Sequence, residues 1–114
     1  MESCVFCRVA DGTAPARILF QDEEIVAFHD IAPRAPVHVL VIPRRHITSL
    51  ASAGDPDRPL LGTLVAAAAE VARRTGIAEV GYRVVTNVGA GAGQSVLHLH
   101  LHVLGGRLLG WPPG

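Results

Sequence analysis

The chain has no lysine, so all 10 of its basic side chains are arginines. With its heavy use of Ala and Gly, this fits a GC-rich coding sequence. An excess of charge is missing too, because 10 acidic residues balance the arginines and the pI falls near 7.0. That balance argues against a broad basic surface for nucleic acid or an anionic membrane, although Arg44-Arg45 still offers local charge. Long hydrophobic runs are absent, and none approaches the roughly 20 apolar residues of a bilayer span. Met1-Glu2-Ser3-Cys4 is neither basic nor followed by a long apolar stretch, so no signal peptide is expected. The expected location is cytoplasmic. Cysteine is scarce, with only Cys4 and Cys7, and in that compartment they read as thiols rather than a structural disulfide.

What is present is apolar. A 49% hydrophobic content over 114 residues suits one domain, 1–114, with a core that needs no covalent staple. Residues 4–12 suggest a short helix ending at Gly12. Residues 17–21 and 25–29 read as a hairpin turning at Asp22-Glu23-Glu24. Pro33 and Pro36 exclude regular structure from residues 30–36. Residues 37–42 are β-prone on both faces apart from His38, and Pro43 ends the run. Residues 44–59 are loop-like. Asp57 is a candidate N-cap, with Pro59 in the first turn of a helix carrying Leu60, Leu61, Leu64, Val65, Ala68, Val71 and Ala72 at helical spacing. Arg73-Arg74 and then Gly76 close that helix. Residues 81–87 form a fourth strand, a glycine-rich loop fills 88–95, and a fifth strand follows. The fold class expected is α+β, with one long helix and one short helix on an antiparallel sheet.

The fifth strand carries His98-Leu99-His100-Leu101-His102-Val103-Leu104. Alternation places the three histidines on one face and Leu99, Leu101 and Val103 on the other. Neighbouring imidazoles would lie about 6.6–7 Å apart along such a strand. A lone histidine there is usually a satisfied structural group. Three at strict alternation leave two functional classes, a metal cage or a phosphate and proton-transfer site. The loop before them, Val88-Gly89-Ala90-Gly91-Ala92-Gly93-Gln94-Ser95, opens no helix and matches no dinucleotide or P-loop fingerprint. Beside Ser95 and the histidines it suits a phosphate cradle. A neutral imidazole there can attack phosphorus while a second donates a proton to the leaving group. No acidic cluster for Mg2+ accompanies them, so no Mg2+ requirement is expected. Cys4-x-x-Cys7 leaves open a redox pair, half a zinc site or two plain thiols.

His98 to Leu104 resembles the HxHxHxx motif (x apolar) of the histidine triad superfamily. Phe28-His29-Asp30-Ile31, Ala35-Pro36-Val37-His38 through Pro43, Asn87, Gly93-Gln94-Ser95-Val96 and the ending Trp111-Pro112-Pro113-Gly114 resemble its nucleotide-binding branch. The resemblance runs from about Val5 to Gly114. It implies a purine nucleoside phosphoramidase that hydrolyses P–N bonds of AMP-type phosphoramidates, such as AMP-lysine, through a nucleotidyl-histidine intermediate. His100 would be the nucleophile, with His102, His38 and His98 as its catalytic neighbours. Phe28, Asp30, Ile31, Asn87, Gly93, Gln94, Ser95 and Val96 would bind an AMP- or GMP-type nucleotide together with His100 and His102. Some members pair CxxC with two histidines on zinc, which here implies Cys4, Cys7, His46 and His98 as ligands. The resemblance also implies a homodimer with a ten-stranded sheet, and a tail, 105–114, that packs at the interface and explains Trp111. Two alternatives remain at this stage: a dinucleoside polyphosphate hydrolase and a nucleotide-binding regulatory dimer. His29 has no assigned role.

Overall fold

The computed structural model describes residues 3–114. Five strands make one antiparallel sheet: β1 (Ile18–Gln21), β2 (Ile25–His29), β3 (Val37–Pro43), β4 (Tyr82–Val85) and β5 (Leu101–Gly105), in the order β1-β2-β3-β5-β4. Two α-helices accompany it, α1 (Val5–Asp11) and α2 (Arg58–Thr75). This is the α+β architecture expected from the sequence. Both helices end on left-handed glycines, Gly12 and Gly76, as their positions suggest. The turn between β1 and β2 is held by Asp22, whose Oδ1 accepts from the Glu24 and Ile25 amides at 2.7 and 2.9 Å. Among the described residues, no helix is long and apolar enough to cross a membrane.

Alternation along the central strands builds two apolar layers. Ile25, Ala27, Val39, Val41, Leu99, Leu101 and Val103 face α2, which buries Leu64, Ala67, Ala68, Val71 and Ala72 against them. Val65 stays exposed and Ala67 takes the inward position instead. The opposite layer sets Val26, Phe28, Leu40 and Ile42 against Phe6 and Val9 of α1. The sheet therefore has a wholly apolar side and a side where a short helix leaves room for polar groups.

Three expectations change. The fifth strand begins only at Leu101, so His98 and His100 precede it on irregular backbone. The β3–β5 register ends at Val41 with Leu101, and its continuation would set Pro43 against Leu99. Pro43 has no N–H to donate, and its carbonyl is taken by His98 Nε2 at 2.8 Å. Leu99 N–H donates instead to the Ile47 carbonyl at 2.6 Å. The fourth strand is likewise shorter than 81–87, and beyond its end the Thr86 hydroxyl donates to the His100 carbonyl at 2.8 Å. Asp57 sits at the start of α2 but does not cap it. Its carboxylate accepts from the Gly54 amide and from Arg45, closing the short turn Asp55–Asp57. The Arg45 contact, then the Gly54 amide, hold that carboxyl below the ordinary aspartate range.

Candidate active site

Although two of the three triad histidines lie outside the strand, the alternation survives. Leu99, Leu101 and Val103 enter the core beneath α2, and the imidazoles gather on the α1 side. The rings then part company. His98 is fully buried and turns Nδ1 toward α1. Cys4 Sγ lies 3.3 Å from it, Cys7 Sγ 3.6 Å and His46 Nδ1 3.2 Å. Cys7 Sγ is also 3.3 Å from His46 Nδ1, and all four ligand atoms lie within 4.8 Å of one another. A tetrahedral ion with bonds of about 2.3 Å to sulfur and 2.0–2.1 Å to nitrogen needs ligand separations of roughly 3.3–3.8 Å. The donor set and these distances fit zinc. His98 Nε2–H donates to the Pro43 carbonyl, which leaves Nδ1 as the free lone pair and orients the ring. Burial first, and then the neighbouring Cys4, push the Cys7 thiol up.

His100 takes a different partner. Its Nδ1 lies 2.7 Å from the His98 carbonyl, so Nδ1 carries the hydrogen and Nε2 is the nitrogen with a free lone pair. His98 therefore meets the nucleophile through its backbone, while its ring serves the cysteine cluster. The same nitrogen is not asked to do two jobs.

His102 and His38 form a directed chain. The Arg34 backbone N–H donates to His38 Nδ1 at 3.0 Å. His38 is thus a hydrogen-bond donor at Nε2, 2.9 Å from His102 Nδ1, which leaves His102 Nε2–H for a further acceptor. Asp30 Oδ2 lies 3.4 Å from His38 Nε2. Burial pushes the His38 pKa down, opposed by Asp30 and aided by Arg34. Burial likewise pushes His102 down, to about 4, with His100 and His38 adding to it and Asp30 opposing.

His100 and His102 open on a cavity of about 290 Å³ lined also by Phe28, Asp30, Ile31, Ser95 and Val96, with Val5, Phe6 and Val9 of α1 as the facing wall. Ile31 is 97% exposed at its rim. Asp30 is held by accepting from the Ala32 amide at 2.8 Å through Oδ1. Asn87, Gly93 and Gln94 do not line this cavity. Gln94 instead staples the glycine loop: its Oε1 accepts from the Gly89 amide at 2.9 Å, and its Nε2 donates to the Thr48 and Val96 carbonyls at 2.8 and 3.1 Å. Gly93, at φ 85°, adopts the left-handed turn that sends the chain into Ser95. His29 is partly buried, and burial followed by Arg17 lowers its pKa. Trp111 is 83% exposed, with the Arg83 guanidinium carbon 5.9 Å from its ring centroid. Sequence reasoning missed Phe6, Thr86 and the Arg34 amide. All three act through contacts distant in sequence or through backbone, and no local pattern marks them.

The sheet, the triad and the adjoining loop define a histidine triad domain, and the HIT domain family model matches residues 11–109. The chain belongs to that family. An uncharacterized HIT-like protein of Synechococcus elongatus is 45% identical over 113 residues, covering 99% of this chain and 98% of the relative. The crystal structure of a HIT family hydrolase from Legionella pneumophila is 47% identical with a TM-score of 0.96, covering 98% of this chain and 100% of that one. A HIT family hydrolase from Clostridium thermocellum is 45% identical with a TM-score of 0.94 and 96% coverage of each chain. The protein is thus a HIT-family, hydrolase-like domain.

Proposed function

We propose that the chain is a purine nucleoside phosphoramidase of the nucleotide-binding histidine triad branch. The observation that carries this reading is the opposed orientation of two rings on one cavity: His100 presents a bare Nε2 and His102 presents an Nε2–H. Nucleophilic attack needs the first and departure of an amine needs the second. Phe28 and Ile31 suit the base, Asp30 the ribose hydroxyls, and Ser95 the phosphate.

In the first step His100 Nε2 attacks phosphorus in line, and the P–N bond breaks with its electron pair on nitrogen. The departing amine takes the Nε2 proton of His102. The imidazolium form that supplies it is favoured against burial by the bound phosphate charge. In that form Nδ1–H cannot face the His38 Nε2–H and would turn to the Asp30 carboxylate, whose Oδ2 lies 3.4 Å from His38 Nε2. The nucleotide is then joined to His100. Water attacks the same phosphorus and gives a proton to His102, and His100 regains its lone pair as the monophosphate leaves. His38 orients the neutral ring of His102, and Asp30 the charged one.

Cys4, Cys7, His46 and His98 would hold zinc. A closed four-ligand site supplies a structural tie rather than a place for substrate. The protein would act as a homodimer in the cytoplasm. In support of pairing, β4 is a sheet edge carrying exposed Tyr82 and Val84, and Val80, Leu108 and Trp111 are also exposed. Sedimentation that finds only monomer at micromolar concentration rejects the dimer.

The deciding experiment is turnover of an adenosine 5′-phosphoramidate bearing a fluorogenic amine, without added Mg2+, beside a dinucleoside tetraphosphate. Faster cleavage of the P–N substrate is expected, with turnover lost in His100→Ala. Preference for the dinucleotide, or full turnover by His100→Ala, rejects the reading.

A further inference from the structure

We infer that Phe6 is a positioning residue through which the cysteine–histidine cluster holds the ring of His100, an inference that rests on the phosphoramidase reading of that ring. Phe6 lies between Cys4 and Cys7 on α1 and is buried. Its ring centroid is 5.1 Å from that of His100 at an interplanar angle of 85°, 6.0 Å from His98 at 75°, and 5.5 Å from Phe28 at 74°. One side chain therefore meets the nucleophile, a cluster ligand and the wall for the base, each edge to face.

The helix that carries Phe6 has seven residues, too few to persist in water without tertiary ties. Its C-terminal end is tied by Arg44, which donates to the Ala10 carbonyl. Its middle is tied by Phe6 and Val9 in the apolar layer. Its N-terminal end is tied by Cys4 and Cys7 against His46 and His98. His100 has a second restraint, the hydrogen bond from Nδ1 to the His98 carbonyl, on a residue whose own Nδ1 faces the cluster. Both restraints on His100 thus run back to the same four ligands, one through Phe6 and one through the His98 backbone. A cation in the cluster tightens both at once. Val5, Phe6 and Val9 wall the cavity, so nucleotide affinity follows as well. By linkage, AMP must raise zinc affinity by the factor by which zinc raises AMP affinity.

The test compares zinc-loaded wild type, zinc-loaded Phe6→Leu, Cys7→Ser and chelator-stripped wild type. The measurements are histidine-ring NMR, AMP calorimetry and turnover. Loaded wild type should show one sharp set of His100 ring resonances. The other three should split or broaden that set. AMP affinity should fall about tenfold on stripping, with zinc affinity rising about tenfold in the presence of AMP. Phe6→Leu should keep its zinc and lose about tenfold to a hundredfold in kcat. Wild-type His100 resonances in folded, loaded Phe6→Leu overturn the inference. If that variant does not fold, unchanged resonances in Cys7→Ser overturn it instead. A wild type that ignores phosphoramidates sinks the phosphoramidase reading, while the His100 resonances still decide the role of Phe6.

Discussion

Two histidine pairs, built from similar residues on one side of the sheet, have opposite polarity. In the His46–His98 pair two Nδ1 atoms converge at 3.2 Å beside two thiols. In the His38–His102 pair an Nε2–H points at an Nδ1 at 2.9 Å, fed from behind by a backbone amide. Each pair gathers its ligand-type atoms within 4.8 Å, the second with Asp30, so proximity alone does not separate them. Hydrogen placement does. His98 turns a bare Nδ1 toward His46 Nδ1 and two sulfurs, a donor set that suits a cation displacing the thiol protons, whereas His38 already accepts at Nδ1 and donates at Nε2. A metal on His38 Nε2 would need that hydrogen removed while Nδ1 still faced an N–H donor. The first arrangement suits a structural ion and the second suits proton transfer.

The sharpest way to break this contrast is to remove one ring from each pair. His102→Asn should lower turnover by about 10²–10⁴-fold, the usual range for a positioned acid–base group, with zinc content unchanged. His46→Asn should do the reverse, lowering zinc content first and affecting turnover through the fold. Metal analysis beside steady-state kinetics checks both. If His102→Asn also releases zinc, the two pairs form one unit and the contrast fails.

Removal of the proposed zinc is expected to give the next largest effect. A ligand present at a thousand times its dissociation constant stabilises the state that binds it by about 4 kcal/mol. Denaturant titrations with and without chelator should differ by that order in wild type and very little in Cys7→Ser.

Proton linkage separates the pairs further. His102 is held at about 4, against an ordinary 6.5, chiefly by burial. Between those values the unfolded chain binds the proton more readily than the folded one. Stability is therefore full above pH 6.5 and falls as pH drops toward 4, by less than the roughly 3 kcal/mol of the full shift because solvent screens this half-buried ring. Metal-free wild type compared with metal-free His102→Asn isolates the effect. The variant should have the flatter pH profile, and identical slopes would reject the buried, neutral state of His102.

Much of this contrast was legible in sequence, because alternation and turn chemistry are local. Pro43, Gly12 and Gly76 led to the right element ends, and alternation gave the buried Leu99-Leu101-Val103 face, although Leu99 lies before β5. The two cysteines and two histidines proposed to hold zinc, more than 90 residues apart at the extremes, were named from the resemblance, and their side chains lie together. What stayed illegible depends on register. Whether Leu99 pairs with the sheet is decided by its facing Pro43, and that alignment exists only once β3 and β5 are paired. Gln94 is named from the resemblance as a phosphate-loop residue, and its side-chain amide also bonds Gly89, Thr48 and Val96, contacts that residue type does not reveal. Asp57 had the composition of a cap, and Arg45 drew its carboxylate elsewhere.

The smallest expected effect probes the seam between the two pairs. His100 lies just before β5, so sheet pairing does not fix its backbone. Its carbonyl is held by the Thr86 hydroxyl at 2.8 Å, while the Leu99 amide on one side is held by the Ile47 carbonyl. Thr86→Val keeps the side-chain shape and removes the donor. The His100 carbonyl then loses one bond, at a cost of about 1 kcal/mol of stability. Because the hydroxyl touches neither the cysteines nor His46 in the hydrogen-bond pattern, zinc content should hold. Turnover should fall by less than about tenfold, since the ring keeps its Nδ1 bond to His98. Loss of zinc from Thr86→Val would mean that the His100 backbone supports the metal side as well, and that the two pairs are coupled through the chain segment between their rings.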